Sequence, residues 1–284
     1  MDSMQPIGVF DSGVGGLTVV KSLWNYFPQE KIVYFGDTAH LPYGSRSPEQ
    51  IVHFGLEILD FLLRRDVKAV IAACNTSSSV SLTRLQEKSP VPVFGMIEPG
   101  VKSALKKTNN KKIGVLATKA TVNSGAYERS FRQGDPDVRV FAQSCPLFVP
   151  LVENGSVERR ETYQIARSYL RPLQEEGVDT LVFGCTHYPY LASVIRHIVG
   201  EEVQLVDPAE EVVRELADIL KLDGYGGKTP RHLFFASGPV TSFYTTGKEF
   251  LGSFPFTVQQ VSLNSQGGGS YDDRTTQAED ENRA

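Results

Sequence analysis

Two cysteines stand in two versions of one local pattern. Residues 70–76 read VIAACNT and residues 181–187 read LVFGCTH, so Cys74 and Cys185 each follow a short apolar run. Each run predicts a buried strand, and the polar residues that follow are typical of a helix start. An α/β fold places reactive groups at the carboxyl ends of such strands. The pattern therefore predicts two thiols that face one site from opposite sides, which suits moving a proton from one face of a carbon to the other.

A glycine-rich turn follows the first predicted strand. Residues 10–18 read FDSGVGGLT, which places Asp11 and Ser12 at the tip of the strand. The glycine spacing is not the dinucleotide fingerprint, and the Lys-Ser/Thr ending of a phosphate loop is missing. We expect backbone N–H groups and the Ser12 hydroxyl to hold a small anion at the helix start. The matching positions of the second half are Ala117 and Thr118, so the hydroxyl recurs and the carboxylate does not.

Two more polar groups follow predicted strands. Residues 35–44 read FGDTAHLPYG, which places Asp37 at a strand end before a Pro-Tyr-Gly turn that brings backbone close to a ligand. His187 lies two residues after Cys185, at the position where the first half has Thr76. An imidazole beside one thiol and a carboxylate beside the other are suited to acid–base chemistry.

The chain reads as two related halves. Four short runs recur in the same order: 7–10 with 113–116, 32–35 with 138–141, 70–73 with 181–184, and 93–97 with 203–206. Helical periodicity lies between them, most clearly over residues 49–65 and 161–176. This alternation predicts an α/β fold of two pseudo-symmetric lobes, each a parallel sheet flanked by helices.

The predicted domain boundaries follow from this repeat. A helix over 209–220, a strand over 232–236, a helix over 240–251 and a strand over 256–261 are too little for a third domain, so we expect them to complete the first lobe. The first lobe then takes residues 1–98 together with 208–264, and the second takes 99–207. Residues 265–284 have no apolar periodicity, which predicts a disordered tail.

Composition excludes several classes of protein. The 284 residues carry 29 Lys and Arg against 33 Asp and Glu, so a surface for nucleic acid or an anionic membrane is not expected. No run of about 18 apolar residues predicts a membrane helix, and the start of the chain does not resemble a signal peptide. Three cysteines are too few and odd in number for a disulfide framework, which favours a reducing, cytoplasmic compartment.

Together these motifs resemble the cofactor-independent glutamate racemases, of the aspartate/glutamate racemase family. The resemblance covers residue 7 to about residue 263 and rests on five stretches: DSGVGG at 11–16, GDT at 36–38, PYG at 42–44, ACNT at 73–76 and GCTHYP at 184–189. The family interconverts L- and D-glutamate, and D-glutamate is used for bacterial peptidoglycan. The resemblance implies two α/β lobes of like topology with the active site between them, no cofactor, and a homodimer.

The resemblance also implies roles for individual residues. Cys74 and Cys185 would be the two acid/base groups, with Cys74 acting on the D-isomer and Cys185 on the L-isomer. Asp11 would assist Cys74 and His187 would assist Cys185, with Asp37 and Glu153 as supporting carboxylates. The residues that would bind the substrate are Asp11, Ser12, Tyr43, Gly44, Asn75, Thr76, Thr118, Thr186 and His187.

Thiol chemistry of this kind needs the thiolate, and a free cysteine has a pKa of about 8.5. We expect a helix N-terminus and His187 to lower the pKa toward about 7, a change of roughly 2 kcal/mol. Hydrogen bonds to the carboxylate as it gains enolate character would supply the rest of the catalysis, so that neither a metal nor pyridoxal is needed. Cys145 lacks the duplicated context and is interpreted as structural. The Cys-x-His pair at 185–187 lacks further nearby ligands, so no metal site is predicted.

Three other functions remain open from the sequence. The same chemistry serves a racemase of aspartate or another acidic amino acid, and the residues do not reveal the depth of the pocket. A thiol-redox protein would use Cys74 and Cys185 as a disulfide pair, although neither lies in a Cys-x-x-Cys motif. A catalytically silent amino-acid-binding protein would act through protein partners.

Overall fold

Two separate β-sheets organise the chain. The structure is a computed structural model and describes residues 5–222, 230–252, 254, 256–263 and the backbone of Gln277–Ala278. The strands, in chain order, are β1 (Ile7–Asp11), β2 (Ile32–Gly36), β3 (Ala69–Ala72), β4 (Val93–Phe94), β5 (Lys112–Ala117), β6 (Arg139–Ser144), β7 (Thr180–Gly184), β8 (Gln204–Val206), β9 (Leu233–Ala236), β10 (Val258–Gln260) and β11 (Gln277–Ala278).

Helices separate most of these strands. In chain order they are α1 (Leu17–Tyr26), α2 (Pro48–Leu63), α3 (Asn75–Val80), α4 (Leu82–Lys88), α5 (Ile97–Lys107), α6 (Lys119–Ser124), α7 (Ala126–Gly134), α8 (Phe148–Glu153), α9 (Arg160–Glu175), α10 (Ala192–Val199), α11 (Pro208–Leu220) and α12 (Val240–Leu251). Single 3₁₀ turns lie at Tyr43–Ser45 and Tyr188–Leu191. The helices predicted over 49–65 and 161–176 are α2 and α9.

The first sheet has the strand order β11-β10-β9-β2-β1-β3-β4. Its neighbouring strands run parallel, except that β11 is antiparallel to β10. All five residues of the central strand β1 are buried, because helices cover both faces of a parallel sheet. Strands β9 and β10 come from the C-terminal part of the chain, and β9 pairs with β2.

The second sheet repeats the topology of the first. Its order is β6-β5-β7-β8, and every pair is parallel. The first four strands of the chain are arranged as β2-β1-β3-β4, so β5 corresponds to β1 and β7 corresponds to β3. The predicted α/β fold of two related parallel sheets with flanking helices is confirmed.

The two sheets are joined through a shared apolar core. One cluster of buried side chains includes Val9 and Leu17 from the first lobe and Leu116 and Phe183 from the second. The chain passes from the first sheet to the second through α5 and returns through α11, and these two helices pack against each other. This shared core packs the two sheets against each other.

The last stretch of the sequence is only partly described. The strands of the first sheet come from residues 7–94 and 233–278, and those of the second from residues 112–206. The lobe boundaries given above stay predictions. The tail predicted to be disordered, 265–284, lies outside the described residues apart from Gln277–Ala278, which form a two-residue strand that the sequence did not predict.

Candidate active site

The carboxyl ends of the two sheets face one small cavity. Its volume is about 20 Å³, and residues from both lobes line it. They include ten of the residues singled out in the sequence, namely Ser12, Tyr43, Gly44, Cys74, Asn75, Thr76, Thr118, Cys185, Thr186 and His187. A space of this size holds about one water molecule, so the structure shows a closed arrangement of the lobes. Both thiols thus reach one cavity, as the duplicated pattern predicts.

Cys74 lies between the end of β3 and the start of α3. Its side chain is buried, and Sγ lies 3.8 Å from Oγ of Ser12. The backbone N–H of Ser77, in the first turn of α3, donates to the sulfur. This contact favours the thiolate over the thiol.

Cys185 occupies the equivalent place after β7. Its Sγ lies 3.9 Å from Nδ1 of His187, and the backbone N–H of His187 donates to the sulfur. On the other side of the ring, Nε2 of His187 is 3.0 Å from Oε1 of Glu153. His187 is 2% exposed whereas Glu153 is 26% exposed, so the imidazole connects a buried thiol to a carboxylate at the edge of solvent.

Asp11 is fully buried at the end of β1. Its Oδ1 accepts a 2.9 Å hydrogen bond from the N–H of Gly13, and its Oδ2 accepts a 3.1 Å bond from the hydroxyl of Thr186. Burial raises the pKa of Asp11, while His187 and these two donors act in the opposite direction. The carboxylate is close enough to Cys74 for its charge to raise the pKa of that thiol.

Three threonine hydroxyls form a cluster that crosses the cleft. Oγ1 of Thr76 lies 2.9 Å from Oγ1 of Thr118 and 3.2 Å from Oγ1 of Thr121, and the last two are 3.1 Å apart. Thr76 belongs to the first lobe, and its two partners belong to the second. The sequence singled out Thr76 and Thr118 but not Thr121, because Thr121 lies inside α6 and no motif marks it.

Comparison with known proteins gives the family. Residues 8–216 match the family described as Asp/Glu/Hydantoin racemase. Glutamate racemase of Geobacter metallireducens is 46% identical over 267 residues, which cover 92% of this chain and 97% of that protein. Glutamate racemase of Picosynechococcus sp. is 45% identical over 264 residues, which cover 92% and 93%. The chain belongs to the glutamate racemase family.

Solved structures of glutamate racemases have the same fold. The isoform RacE1 from Bacillus anthracis is 40% identical with a TM-score of 0.88, covering 92% of this chain and 98% of that one. The enzyme from Francisella tularensis, in complex with D-glutamate, is 36% identical with a TM-score of 0.86, covering 93% and 100%. An aspartate racemase of Picrophilus torridus, 19% identical with a TM-score of 0.56, shares the fold. The resemblance inferred from the sequence is confirmed, and the protein is an amino-acid racemase, an isomerase.

The pKa values of the two thiols correct one expectation. Burial, together with the charge of Asp11, raises the pKa of Cys74 to about 12, whereas the sequence led us to expect a value near 7. Burial also raises the pKa of Cys185 well above its ordinary value, and a negative charge on Cys74 raises it further. The N–H donors act in the expected direction, but loss of water in the closed cavity outweighs them. In this closed arrangement the raised pKa values favour the protonated form of both thiols.

Three of the predicted site residues, Asp11, Asp37 and Glu153, do not line the small cavity. The carboxylate of Asp37 accepts a 2.6 Å hydrogen bond from Tyr43 and a 2.7 Å bond from Ser237, and both its oxygens lie 2.9 Å from Nδ1 of His40. Asp37 therefore holds the ring of Tyr43, which does line the cavity. Glu153 lines a second cavity of about 720 Å³ that also touches Leu41, Pro42, Gly44, Thr118 and Val149, all of which line the small one.

At two glycines, segments of the first lobe approach the second lobe closely. A Cβ atom on Gly15 would overlap the hydroxyl of Thr186 and lie 2.5 Å from Nδ1 of His187, so only glycine lets this turn approach the loop after Cys185. A Cβ atom on Gly44 would lie 3.0 Å from Cβ of Thr118, across the cleft. The glycine-rich stretch thus permits contact between the lobes as well as a tight turn.

The remaining sequence expectations concern Cys145 and bound groups. Cys145 is a buried free thiol whose Sγ donates to the backbone oxygen of Gln143. Among the described residues, no group of three or more His, Cys, Asp or Glu side chains is arranged to hold a metal ion. No helix within the described ranges is long and apolar enough to cross a membrane.

Proposed function

We propose that the protein interconverts L-glutamate and D-glutamate by proton transfer at the α-carbon between Cys74 and Cys185. The observation that carries this proposal is that two buried thiols, each at the end of an equivalent strand of a different sheet, line one cavity. One thiolate removes the α-proton from one face, and the opposite thiol returns a proton to the other face. The electron pair of the C–H bond passes into the α-carboxylate and back, so no electrons are gained or lost.

The neighbours of each thiol supply the base that it needs. Asp11 takes the proton of Cys74, and His187, supported by Glu153, takes the proton of Cys185. Following the family resemblance, Cys74 acts on D-glutamate and Cys185 acts on L-glutamate. The charge on one sulfur raises the pKa of the other, which favours a state with one thiolate and one thiol. Such a pair is what a two-base racemase requires in either direction.

Polar groups around the cavity are suited to binding the substrate. Hydroxyls come from Ser12, Thr76, Thr118 and Thr186, and all four residues line the cavity. The Nδ2 group of Asn75 is buried and has no hydrogen-bond partner among the described residues, so it is available to a substrate carboxylate. Donors of this kind stabilise a carboxylate as it gains enolate character, typically by a factor of about 10²–10³ for each donor. These donors support a mechanism that relies on protein groups alone.

Substrate exchange requires the lobes to move. The cavity of about 20 Å³ is too small for an amino acid, whereas the neighbouring cavity of about 720 Å³ shares part of its wall. Opening between Gly44 and Thr118 would join the two spaces. We therefore expect glutamate to enter from the larger cavity and the lobes to close on it.

We assign glutamate rather than aspartate as the substrate because the relatives more than 40% identical are named glutamate racemases, whereas the aspartate racemase shares only the fold. A racemase of aspartate or of another acidic amino acid is the alternative. Chiral chromatography of the purified protein with L-glutamate and L-aspartate separately decides between them. Turnover of L-aspartate alone would overturn the proposed substrate.

Replacing each cysteine tests the two-thiol mechanism. Cys74→Ser and Cys185→Ser should each lower racemisation by about 10²–10⁴-fold, the usual contribution of an acid/base group. In D₂O, Cys185→Ser should still exchange the α-proton of D-glutamate without inversion, because Cys74 can remove a proton and return one to the same face. Cys145→Ser is the matched control, and we expect wild-type turnover from it. Near wild-type racemisation by either of the first two variants would refute the mechanism.

The family resemblance also suggests the biological role, the cellular location and the oligomeric state. We propose that the protein supplies D-glutamate for peptidoglycan, acts in the cytoplasm and forms a homodimer. The three free thiols support a reducing compartment. Complementation of a bacterial strain that requires D-glutamate tests the role, and light scattering of the purified protein tests the dimer.

A further inference from the structure

One hydrogen bond joins a tyrosine of the second lobe to the residue that follows Cys74. Tyr127 lies in α7, and its hydroxyl donates a 2.8 Å hydrogen bond to Oδ1 of Asn75 at the start of α3. Both side chains are 2% exposed. No sequence motif marks Tyr127, because it stands as one apolar position of an amphipathic helix.

This bond fixes the orientation of the Asn75 amide. Oδ1 is occupied by Tyr127, whereas Nδ2 has no partner in the described part of the chain and Asn75 lines the cavity. With the opposite orientation, the amide oxygen would face the substrate and repel a carboxylate. A donor at Oδ1 therefore keeps the NH₂ group available to an anionic ligand.

The ring of Tyr127 also touches the strand that carries the other thiol. A Cβ atom added to Gly184, the residue before Cys185, would lie 3.2 Å from Cε2 of Tyr127. A Cβ atom added to Gly100 in α5 would lie 3.4 Å from the Tyr127 hydroxyl. The side chain thus fits between the β7 end, the helix that joins the lobes and the residue after Cys74.

The environment of the hydroxyl keeps it a donor. Burial, then the nearby Asp207 and Cys185, raises the pKa of Tyr127 far above its ordinary value. At neutral pH the phenol is therefore uncharged and can donate to Oδ1. The contact is therefore available whenever the lobes are closed.

We propose that Tyr127 is a positioning residue that orients the Asn75 amide toward a carboxylate of the substrate when the lobes close. The proposal rests on the proposed function, because it assigns the amide to the amino acid that is racemised. Tyr127 does not touch the reacting atoms and acts through Asn75. A ring that merely fills space between the lobes would not be coupled to the amide in this way.

A double-mutant cycle separates the two roles. Tyr127→Phe removes one oxygen atom and should lower kcat/KM for glutamate about tenfold, the effect of losing one hydrogen bond. If the hydroxyl acts through Asn75, the same change in an Asn75→Ala background should alter kcat/KM by less than about twofold. Equal losses in both backgrounds, or no loss in the wild-type background, would overturn the proposal.

Two controls are needed to interpret the double-mutant cycle. Tyr163→Phe removes a hydroxyl that donates to Glu158 outside the site, and we expect wild-type kcat/KM from it. Circular dichroism and the Tm show whether each variant is folded. If Tyr127→Phe does not fold, Asn75→Asp keeps an acceptor for Tyr127 and replaces only the donor, and it should lower kcat/KM at least about 100-fold. Wild-type kcat/KM in Asn75→Asp would equally reject the proposal.

The same assays distinguish this inference from the proposed function. Absence of glutamate racemisation by the wild-type protein would sink the proposed function. The cycle would then be measured on the amino acid that the protein does racemise, and the ratio between backgrounds would still test Tyr127. A coupled cycle supports the inference whichever acidic amino acid is the substrate.

Discussion

The hydroxyl of Thr186 donates a 3.1 Å hydrogen bond to Oδ2 of Asp11. This bond joins the residue that follows Cys185 in the second lobe to the carboxylate that neighbours Cys74 in the first. Thr186 also lowers the pKa of Asp11, against the effect of burial. Asp11 is the base assigned to Cys74, and its pKa is therefore lowered by a residue of the loop that carries Cys185. This effect exists only while the lobes are closed.

Removing this hydroxyl should change the pH dependence of the reaction. In Thr186→Val the carboxylate loses a donor that favours its ionised form, so the pKa of Asp11 rises. More of the base is then protonated at a given pH, and the acid limb of kcat/KM should move to higher pH. The measurement is the pH profile of kcat/KM for L-glutamate and for D-glutamate. The two values of kcat/KM must be equal at each pH, because the two enantiomers have the same free energy.

Thr186→Ser is the matched control, because it keeps the hydroxyl and removes only a methyl group. Its acid limb should coincide with that of the wild type. An unchanged limb in Thr186→Val would mean that Asp11 is not the group whose ionisation limits turnover.

The contact between His187 and Glu153 predicts an effect on catalysis rather than on folding. When His187 takes the proton of Cys185, the imidazolium gains a positive charge that the Glu153 carboxylate stabilises at 3.0 Å. Glu153→Gln keeps a polar side chain but removes the charge, and kcat should fall about 10- to 100-fold. Steady-state kinetics measures this, with Glu158→Gln at the surface as the control. A kcat within twofold of wild type would show that Glu153 does not support the imidazole.

A single methyl group at Gly15 should displace the same imidazole. The added Cβ would overlap the hydroxyl of Thr186 and lie 2.5 Å from Nδ1 of His187, so these side chains or the turn must move. A displacement near 1 Å can lower the rate about 100-fold, and we expect that loss in kcat/KM for Gly15→Ala. The control is Gly55→Ala within α2, where the new Cβ comes no closer than 3.3 Å to Ser81. Full activity in Gly15→Ala would contradict the close approach.

Much of this site could be predicted from the sequence. Cys74 and Cys185 follow short apolar runs, and a buried parallel strand delivers the residue after it to one edge of the sheet. Asp11 and His187 lie next to such strands, so their arrival at the same edge follows from topology. The repeated strand order predicts that the two edges are equivalent. Local pattern and duplication were enough for these residues.

Contacts that depend on lobe closure could not be predicted. Tyr127 and Thr121 contact Asn75 and Thr76 across the cleft, and no local pattern encodes a partner in the other lobe. The pKa of Cys74 was expected to fall, and it rises because closure removes water from the thiol. The interpretation of Asp37 as a supporting carboxylate did not reveal that Tyr43, His40 and Ser237 occupy its oxygens. The contacts of Tyr127 and Thr121 and the burial of Cys74 depend on how the two lobes meet, and Ser237 lies 200 residues from Asp37 in the chain.

A buried histidine away from the site predicts a loss of stability in acid. Nδ1 of His232 accepts a 3.2 Å hydrogen bond from the backbone N–H of Ile32, and its ring lies against Trp24 and Phe254. Nε2 is buried without a hydrogen-bond partner among the described residues. Burial lowers the pKa of His232 from 6.5 to about 4, because no neighbour compensates a charged ring.

The lowered pKa fixes the direction of the effect. Between about pH 6.5 and 4 the unfolded chain binds a proton at this position and the folded chain does not, so acid favours unfolding. The stability that the neutral His232 ring contributes is fully present above pH 6.5 and is lost as the pH falls toward 4. His232→Asn keeps an acceptor for Ile32 but does not titrate, so it should lose roughly 2 kcal/mol less stability over this interval than the wild type. Urea unfolding at pH 7 and pH 4 measures the difference, with His53→Asn on the exposed face of α2 as the control. Equal acid losses in His232→Asn and the wild type would show that His232 is protonated in the folded protein.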